Sequence, residues 1–323
     1  MTSFYSLHYT ISMNQQTRLL LPFAIITAIL AVSTASIFIR FAQGGGAPSL
    51  VIAALRLTFA ALLLAPFALS KHREELKGLT RTEILTGLLS GIFLALHFAT
   101  WISSLEYTSV ASSVVFVSTG PLWVALLSPA LLKERLTKAA VVGLGLAIAG
   151  GVVIGLSDAC AWDRGLACPA LGDVLQGRAM LGNFLALAGA WTVTGYLIIG
   201  RKMRSKISLI PYIFMVYGFA AAALIVMMLA AGNSPFGYAP QTYGWIFLLA
   251  ALPQLVGHST YNWALKYLPA ALVAVTTLGE PIGSAILAFF ILNETPAPAA
   301  IAGGALILAG IYLASSVKQR NEL

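Results

Sequence analysis

The chain has 323 residues, of which 59% are hydrophobic and only 9% are charged, and its formal net charge is +8. Soluble globular proteins carry about 25% charged residues, so this composition excludes a soluble enzyme, a nucleic-acid-binding protein and a disordered protein. The mean hydropathy is +0.88, and the basic residues form small clusters between apolar runs, a pattern typical of integral membrane proteins.

The first half of the chain contains five apolar runs long enough to cross a bilayer, which takes about 20 residues. Residues 1–18 before them are polar and lack the basic region and cleavage site of a signal peptide, so we expect a cytoplasmic tail that starts at either Met1 or Met13. The five runs are 19–41, 48–69, 84–105, 111–131 and 139–156. The resulting prediction is a set of five transmembrane helices over 19–156.

The second half repeats this organisation after a loop over 157–179. That loop holds Cys160 and Cys168, for which an oxidising compartment would permit a disulfide without requiring it. Five more apolar runs follow, at 180–200, 209–231, 243–263, 270–292 and 299–316. A short tail, 318–323, ends the chain. The sequence therefore predicts an all-α integral membrane protein with ten transmembrane helices.

The distribution of positive charge predicts the orientation. With the N-terminus inside, the cytoplasmic segments carry 15 Lys and Arg and the outer loops carry 2, Arg164 and Arg178. Basic residues concentrate on the cytoplasmic side of membrane proteins. We therefore expect both termini in the cytoplasm of a bacterium, with the chain in its inner (plasma) membrane.

The two halves are related by a gapless offset of 160 residues, from 105–150 to 265–310. Pro121 matches Pro281 and Glu134 matches Glu294 at this offset. Because the repeat unit, 19–156 and then 180–317, has an odd number of predicted spans, the copies must insert in opposite orientations. Inverted repeats of this kind are typical of secondary transporters, which bind substrate near the midplane between the halves.

The matching segments resemble a known family. "LEYTSVASSVVFVSTGPLWVALLSPALLKERLT" (105–137) and "GHSTYNWALKYLPAALVAVTTLGEPIGSAILAFFILNETP" (257–296) are similar to EamA-type members of the drug/metabolite transporter superfamily. The resemblance covers about residues 19–317. It implies ten helices, cytoplasmic termini, a central cavity and export of small metabolites, often amino acids or drugs, without naming the substrate.

Glu280 is the leading candidate for a functional residue. It lies near the middle of its predicted span, where a charged carboxylate costs at least a few kcal/mol unless it faces protein or water. Thr276, Glu280 and Ser284 are spaced to form one polar stripe of a helix. Glu280 is either a protonated packing group or a site for a substrate amine or a coupling proton. Pro281, like Pro121 in the first half, predicts a helix kink.

Further polar and aromatic side chains are candidates for the cavity wall. Gln254, His258 and Asn262 share one face of the eighth span by their four-residue spacing, and either line the cavity or bond neighbouring helices. The third span offers His97 and Trp101 at the same spacing. Trp191 and Tyr196 are candidate aromatic walls, although both residue types also occupy membrane interfaces.

Arg56 lies about 12 Å below the outer end of its span at 1.5 Å per residue. Of three roles open to it, we rank a pairing with a carboxylate such as Glu106 above snorkelling and above binding an anionic substrate group. In the fifth span, small residues recur every fourth position from Gly143 to Gly155, which permits close backbone approach by the tenth span or by a second subunit.

Transport is favoured over other functions. The sequence lacks a Gly-Lys-Ser/Thr phosphate loop, a His-Glu-x-x-His motif and paired intramembrane aspartates, and mid-helix prolines suit a carrier better than an open channel. The expected partners are a small-molecule substrate, the lipid bilayer and H⁺ as a candidate coupling ion, in a monomer or homodimer, with no cofactor, metal or nucleic acid. An importer or a sugar or nucleotide-sugar antiporter is the second reading.

Overall fold

The computed structural model describes residues 15–132, 138–159, 177–268 and 270–320, and all regular structure within these ranges is helical. Five of its helices are long and apolar enough to cross a membrane: Leu19–Gly44, Ser49–Lys71, Arg81–Ser104, Arg178–Arg204 and Leu209–Ala230. Shorter apolar helices accompany them. An all-helical membrane protein is therefore confirmed, while Cys160, Cys168 and Glu134 lie outside the described residues.

The described residues of the first half form eight helical segments. They are α1 (Gln15–Ser33), α2 (Ala35–Gly44), α3 (Ser49–Lys71), α4 (Arg73–Lys77), α5 (Arg81–Ser104), α6 (Val110–Val117), α7 (Gly120–Leu132) and α8 (Lys138–Ala159). The start of α5 is fixed by a capping box, in which Thr80 and Glu83 each satisfy the other's backbone N–H, as expected for helix N-termini. Ser109 caps α6 by accepting from the backbone N–H of Ser112.

The second half contains seven α-helical segments and two π-helical ones. They are α9 (Arg178–Arg204), α10 (Leu209–Ala230), α11 (Pro240–Leu249), the first π-helix (Ala250–His258), α12 (Ser259–Ala264), α13 (Ala270–Thr276), α14 (Gly279–Leu287), the second π-helix (Ala288–Leu292) and α15 (Pro298–Arg320). From α11 through α12 the chain is one continuous helix that widens around Pro253. Asn293 ends the second π-helix in a left-handed conformation with φ of 56°.

Three predicted spans are not the continuous helices that the sequence predicted. The first is interrupted at Thr34, the fourth at 118–119 and the ninth at 277–278. Proline removes a backbone donor and disrupts the helix just before it, which explains the breaks that precede Pro121 and Pro281. Threonine hydroxyls satisfy exposed carbonyls at both of those breaks: Thr119 donates to Phe116 and Thr277 to Ala274, each over 2.7 Å.

The interior is built where helices of the two halves meet. Helix α9 packs against α5, α10 packs against α3, and α1 packs against the first π-helix. The opposite faces present large apolar side chains outward, among them Phe23 at 71% exposure and Phe290 at 75%. A surface of that kind is stable against lipid rather than water, in agreement with a membrane protein.

Helices α8 and α15 cross at paired glycines. A Cβ atom on Gly150 would collide with the Gly303 carbonyl oxygen, and one on Gly303 would lie 2.7 Å from that of Gly150. A Cβ on Gly310 would likewise collide with the Gly143 carbonyl. Two members of the predicted small-residue ridge, Gly143 and Ala147, therefore pack on α15 at Gly310, while Gly150, which lies outside the ridge, forms the second glycine contact. Gly151 faces Phe116 instead.

This crossing gives a matched test of packing. We expect Gly150→Ala to lower the melting temperature of the purified protein in detergent, since overpacking typically costs about 1–3 kcal/mol. Gly145→Ala on the same helix is the control, because a Cβ atom added there would have no neighbour within 4 Å; it should be neutral or stabilising by up to about 1 kcal/mol. Equal melting temperatures for the two variants would contradict the crossing.

Candidate functional site

A cavity of about 60 Å³, measured as the space open to the centres of water molecules, lies where the two halves meet. Its walls come from α5, the α6–α7 break, α9, the first π-helix with α12, and the α13–α14 break. This volume exceeds the roughly 10–15 Å³ that holds one water and is well below the roughly 300 Å³ of small ligand pockets. The cavity therefore has room for only a few waters.

Three pairs of lining positions are related by the sequence offset of 160. Trp101 and Tyr261 form one pair, Val117 and Thr277 the second, and Gly120 and Glu280 the third. In each pair the residue with more polar chemistry belongs to the second half. The backbone of both halves therefore shapes the cavity, while the second half supplies its carboxylate and, at these paired positions, its hydroxyls.

Two histidines stand side by side in the wall. His97 is 5% exposed, and its Nδ1 donates to the Gly189 carbonyl oxygen over 2.9 Å. The His97 ring stacks on Trp101 with the ring centroids 5.9 Å apart, and its centroid lies 6.3 Å from that of the His258 ring, which it meets edge-on. His258 in turn lies 6.4 Å from Tyr261. The Trp101 Nε1 and the Tyr261 hydroxyl are buried and have no hydrogen-bond partner among the described residues, so two polar groups of these wall residues are left unsatisfied.

Behind this wall lies a second layer of polar side chains. Arg56 is fully buried, and its Nε donates to Gln254 Oε1 over 2.9 Å. The predicted pairing of Arg56 with Glu106 is wrong. Glu106 instead accepts from the backbone N–H of Ser49 over 3.2 Å and from its hydroxyl, because Glu106 lies beyond the end of α5, beside the start of α3, whereas Arg56 is two turns deeper along α3.

Asn262 belongs to the same layer. Its Nδ2 donates to the hydroxyl of Tyr196 and to the His258 carbonyl over 2.8 Å. Tyr196 itself lines the cavity. Of the three residues predicted to share a face of the eighth span, His258 thus faces the cavity, whereas Gln254 and Asn262 support its wall from behind.

A second, larger cavity of about 440 Å³ lies near the ends of α2, α5 and the second π-helix. An ion pair crosses it, with Arg40 Nη2 3.1 Å from Glu294 Oε1. Arg40 also donates to the Thr108 carbonyl over 3.0 Å, and Glu294 accepts from the backbone N–H of Val110 over 2.9 Å. Glu294 therefore caps a helix of the other half, as a carboxylate at a helix N-terminus does.

Comparison with known proteins decides the family. The EamA-like transporter family matches twice, at residues 20–156 and 180–316. The chain belongs to the EamA-like transporter family. It is therefore a multi-pass membrane transporter of the drug/metabolite transporter superfamily. Neither the family nor the names of its relatives indicate a catalytic activity.

Individual relatives and structures resemble the chain at low identity. An uncharacterized transporter of Archaeoglobus fulgidus is 24% identical over 291 residues, 90% of this chain and 94% of its own length. A probable terminal-alkyne amino-acid exporter of Streptantibioticus cattleyicolor is 27% identical over 218 residues, 64% of each chain. A crystal structure 20% identical in sequence has a TM-score of 0.63 and covers 94% of this chain and 99% of that one, which shows a shared fold.

The polar stripe predicted for the ninth span of this EamA chain is divided by the helix break. Glu280 lines the cavity together with Thr277. The Thr276 hydroxyl donates to the Val273 carbonyl of its own helix over 2.6 Å. The Ser284 side chain faces α1, where its hydroxyl donates to the Ser33 carbonyl over 3.1 Å. Four-residue spacing places side chains on one face only in an uninterrupted helix, and the turn at 277–278 shifts the register.

Trp191 is not brought to the cavity. Its side chain is 41% exposed and packs edge-on against Trp123 at 5.4 Å and Phe184 at 6.0 Å. Sequence reasoning placed neither Thr277 nor Val117 in the wall. Both could have been found from the offset of 160. Val117 lies three residues before Gly120, Thr277 lies three residues before Glu280, and the two pairs match at that offset. Within the described residues, no group of three or more His, Cys, Asp or Glu is placed to hold a metal.

Cysteine accessibility tests which face of the broken helix lines the cavity. In a Cys160→Ser, Cys168→Ser background, we expect Thr277→Cys to react with a small cationic thiosulfonate. Ser284→Cys should stay unreactive, because Ser284 is 0% exposed and faces Ser33. The measurement is the extent of modification by mass spectrometry of the folded, detergent-purified protein. The opposite ranking would restore the continuous stripe of an unbroken helix.

Proposed function

We propose that this EamA-family chain is a secondary transporter that exports small metabolites, such as amino acids or drug-like solutes, across the inner membrane by alternating access. The observation that carries the proposal is the cavity at two helix breaks, which is lined in pairs by both halves and by one carboxylate, Glu280. Irregular backbone at membrane depth is tolerated where it lines such a cavity, and transporters place their sites between repeats.

Ten spans in two inverted five-helix repeats are part of the proposal. The glycine crossing supports the inversion. Gly143 faces Gly310 and Gly150 faces Gly303, and the offset of 160 exchanges these two contacts. A two-fold axis in the membrane plane produces such an exchange, whereas a simple translation along the chain does not.

Glu280 is proposed to carry the chemistry of transport. Its carboxylate lines the cavity, and it interacts electrostatically with buried Arg56. It either binds the amine of the substrate or carries the coupling proton, since each role needs a titratable acid reached from the cavity. The carboxylate is no requirement of the fold, because Gly120 holds the equivalent position of the first half.

Export is proposed over import for two reasons. One relative is named a probable terminal-alkyne amino-acid exporter, and the Arg40–Glu294 pair joins the two halves across the cavity near the ends of α2 and α5. We assign that cavity to the outer side from the charge distribution of the loops. Breaking the pair then opens the exit, and reforming it closes the exit behind the departing substrate.

The alternative is an importer, or an antiporter of a sugar or nucleotide-sugar type substrate. A phosphorylated substrate requires several cations in the cavity. In the part of the chain that the structure describes, the cavity wall contains two histidines, and Arg56 lies behind it. That charge suits a small neutral or zwitterionic metabolite better than a nucleotide.

Glu280→Gln separates the roles of the carboxylate. Glutamine keeps the shape and removes the charge, so a proton carrier should lose net transport and its pH dependence while substrate exchange continues. If Glu280 binds the substrate amine, binding and exchange should fall together, by roughly 100-fold for a lost buried charge pair. The measurement is net flux and exchange in proteoliposomes at two pH values, with a panel of labelled amino acids.

The control for this experiment is Glu74→Gln. Glu74 lies on α4, and its carboxylate is exposed beside Lys77. It should transport as the wild type does. A folded Glu280→Gln protein with unchanged net flux and pH dependence would remove Glu280 from the mechanism. Absence of exchange for every compound, in the wild type as well, would count against a carrier.

The orientation is tested by reporter fusions. Because basic residues concentrate in the loops assigned to the cytoplasm, a fluorescent protein that matures only inside the cell should be bright when fused after Leu323, and alkaline phosphatase at that site should be inactive. Fusions at Gly237, in a loop assigned to the outside, are the internal control and should give the reverse. An active phosphatase after Leu323 would contradict the arrangement of five spans plus five.

A further inference from the structure

Arg56 has hydrogen-bonding capacity that the protein does not use. Its side chain is 0% exposed, its Nε donates to Gln254, and neither Nη1 nor Nη2 has a hydrogen-bond partner among the described residues. Leaving donors of a charged group unpaired in the interior costs several kcal/mol. A guanidinium in this condition can bind a carboxylate through two parallel hydrogen bonds.

The guanidinium lies one aromatic layer behind the cavity. Its central carbon is 4.0 Å from the centroid of the Phe98 ring, and that ring is 5.4 Å from His258 in the cavity wall. Arg56 also interacts electrostatically with His97, His258 and Glu280, all of which line the cavity. The Phe98 and His258 rings therefore separate the unpaired Nη atoms from the cavity, and a ligand in the cavity can reach these atoms only when the His258 ring turns aside.

Charge balance restricts what can bind beside this arginine. Among the described carboxylates, Glu280 is the one that lines the cavity in front of Arg56, and in its ionised form it offsets the charge of Arg56. A substrate that carries only an amine would neutralise Glu280 and leave Arg56 as an uncompensated buried cation. A substrate that carries only a carboxylate would do the reverse. A molecule with both groups leaves the net charge of the site at zero.

Building on the proposed function, we infer that the substrate is a zwitterion whose amine binds Glu280 and whose carboxylate binds Arg56. The two unpaired polar groups of the wall, Trp101 Nε1 and the Tyr261 hydroxyl, bind the same carboxylate from the cavity side. Arg56 is then a specificity-determining residue for a free amino acid over its blocked derivatives. If Arg56 had a purely structural role and only donated a hydrogen bond to Gln254, the protein would show no such preference.

The test compares blocked and free forms of three amino acids of increasing size: alanine, leucine and phenylalanine. Each is added as the free L-form, the methyl ester and the N-acetyl derivative to protein purified in detergent, in mildly acidic buffer that keeps the ester's amine protonated. The measurement is the ligand-induced rise in melting temperature. For the wild type, at least one free form should bind about tenfold or more tighter than both of its blocked derivatives.

Two reciprocal variants provide the decisive result. Arg56→Met removes the cation, so its preference should change to the methyl ester, which keeps only the amine. Glu280→Gln should change the preference to the N-acetyl form, which keeps only the carboxylate. Arg178→Met is the matched control, because Arg178 is exposed and lies over Tyr107 near the outer loop; it should keep the wild-type order.

A second substitution of Arg56 covers the case in which the Arg56→Met protein does not fold. Should Arg56→Met not fold, Arg56→Lys keeps the charge without the two-pronged geometry and should weaken binding of the free amino acid without reversing the order. Equal binding of free amino acids and methyl esters by the wild type would overturn the zwitterion while leaving amine transport intact. No binding of any free amino acid would overturn the zwitterion and the proposed amino-acid substrates together.

Discussion

Every backbone N–H and C=O inside a bilayer must find a partner within the protein, because the hydrocarbon layer offers none and each unsatisfied group costs several kcal/mol. The helix breaks of this transporter are stable because that requirement is met locally. At one break, the Thr277 hydroxyl donates to the Ala274 carbonyl, and its own carbonyl accepts from the backbone N–H of Glu280. The remaining polarity is directed into the cavity.

The same constraint explains how the two halves share one shape and differ in chemistry. The breaks before Pro121 and Pro281 occupy equivalent places, and both contribute to the cavity. At the positions that face it, the first half has Gly120 and Val117, whereas the second half has Glu280 and Thr277. A duplicated backbone thus shapes the cavity, and differences between the copies at these positions give the second half the carboxylate.

The sequence predicted the features that depend on composition and on repetition. Apolar length was enough for the helical membrane class, and the prolines matched at the offset of 160 were enough to indicate the helix breaks before Pro121 and Pro281. The partner of Arg56 was not predictable in this way, because Gln254 is 198 positions distant and meets it only through packing of α3 against the first π-helix.

The side-chain register predicted for the ninth span is wrong for a local reason. Spacing rules assume a continuous helix, and the turn at 277–278 exchanges Thr276 for Thr277 at the cavity. Trp191 shows a different limit. Its helix, α9, does line the cavity through Tyr196, but a helix that packs on one side meets the exterior on the other, and the sequence does not tell which aromatic residue belongs to which side.

The π-helix around Pro253 accommodates a difference in length between two corresponding helices of the two halves. Helix α5 has 24 residues, while its counterpart from Pro240 to Ala264 consists of segments of 10, 9 and 6 residues and so has one more. An extra residue in a regular α-helix would rotate everything beyond it by about 100°. The wider π turns absorb that residue, so Tyr261 stays in register with Trp101. The two halves can therefore differ in length by a single residue, which the widened helix accommodates beside the cavity.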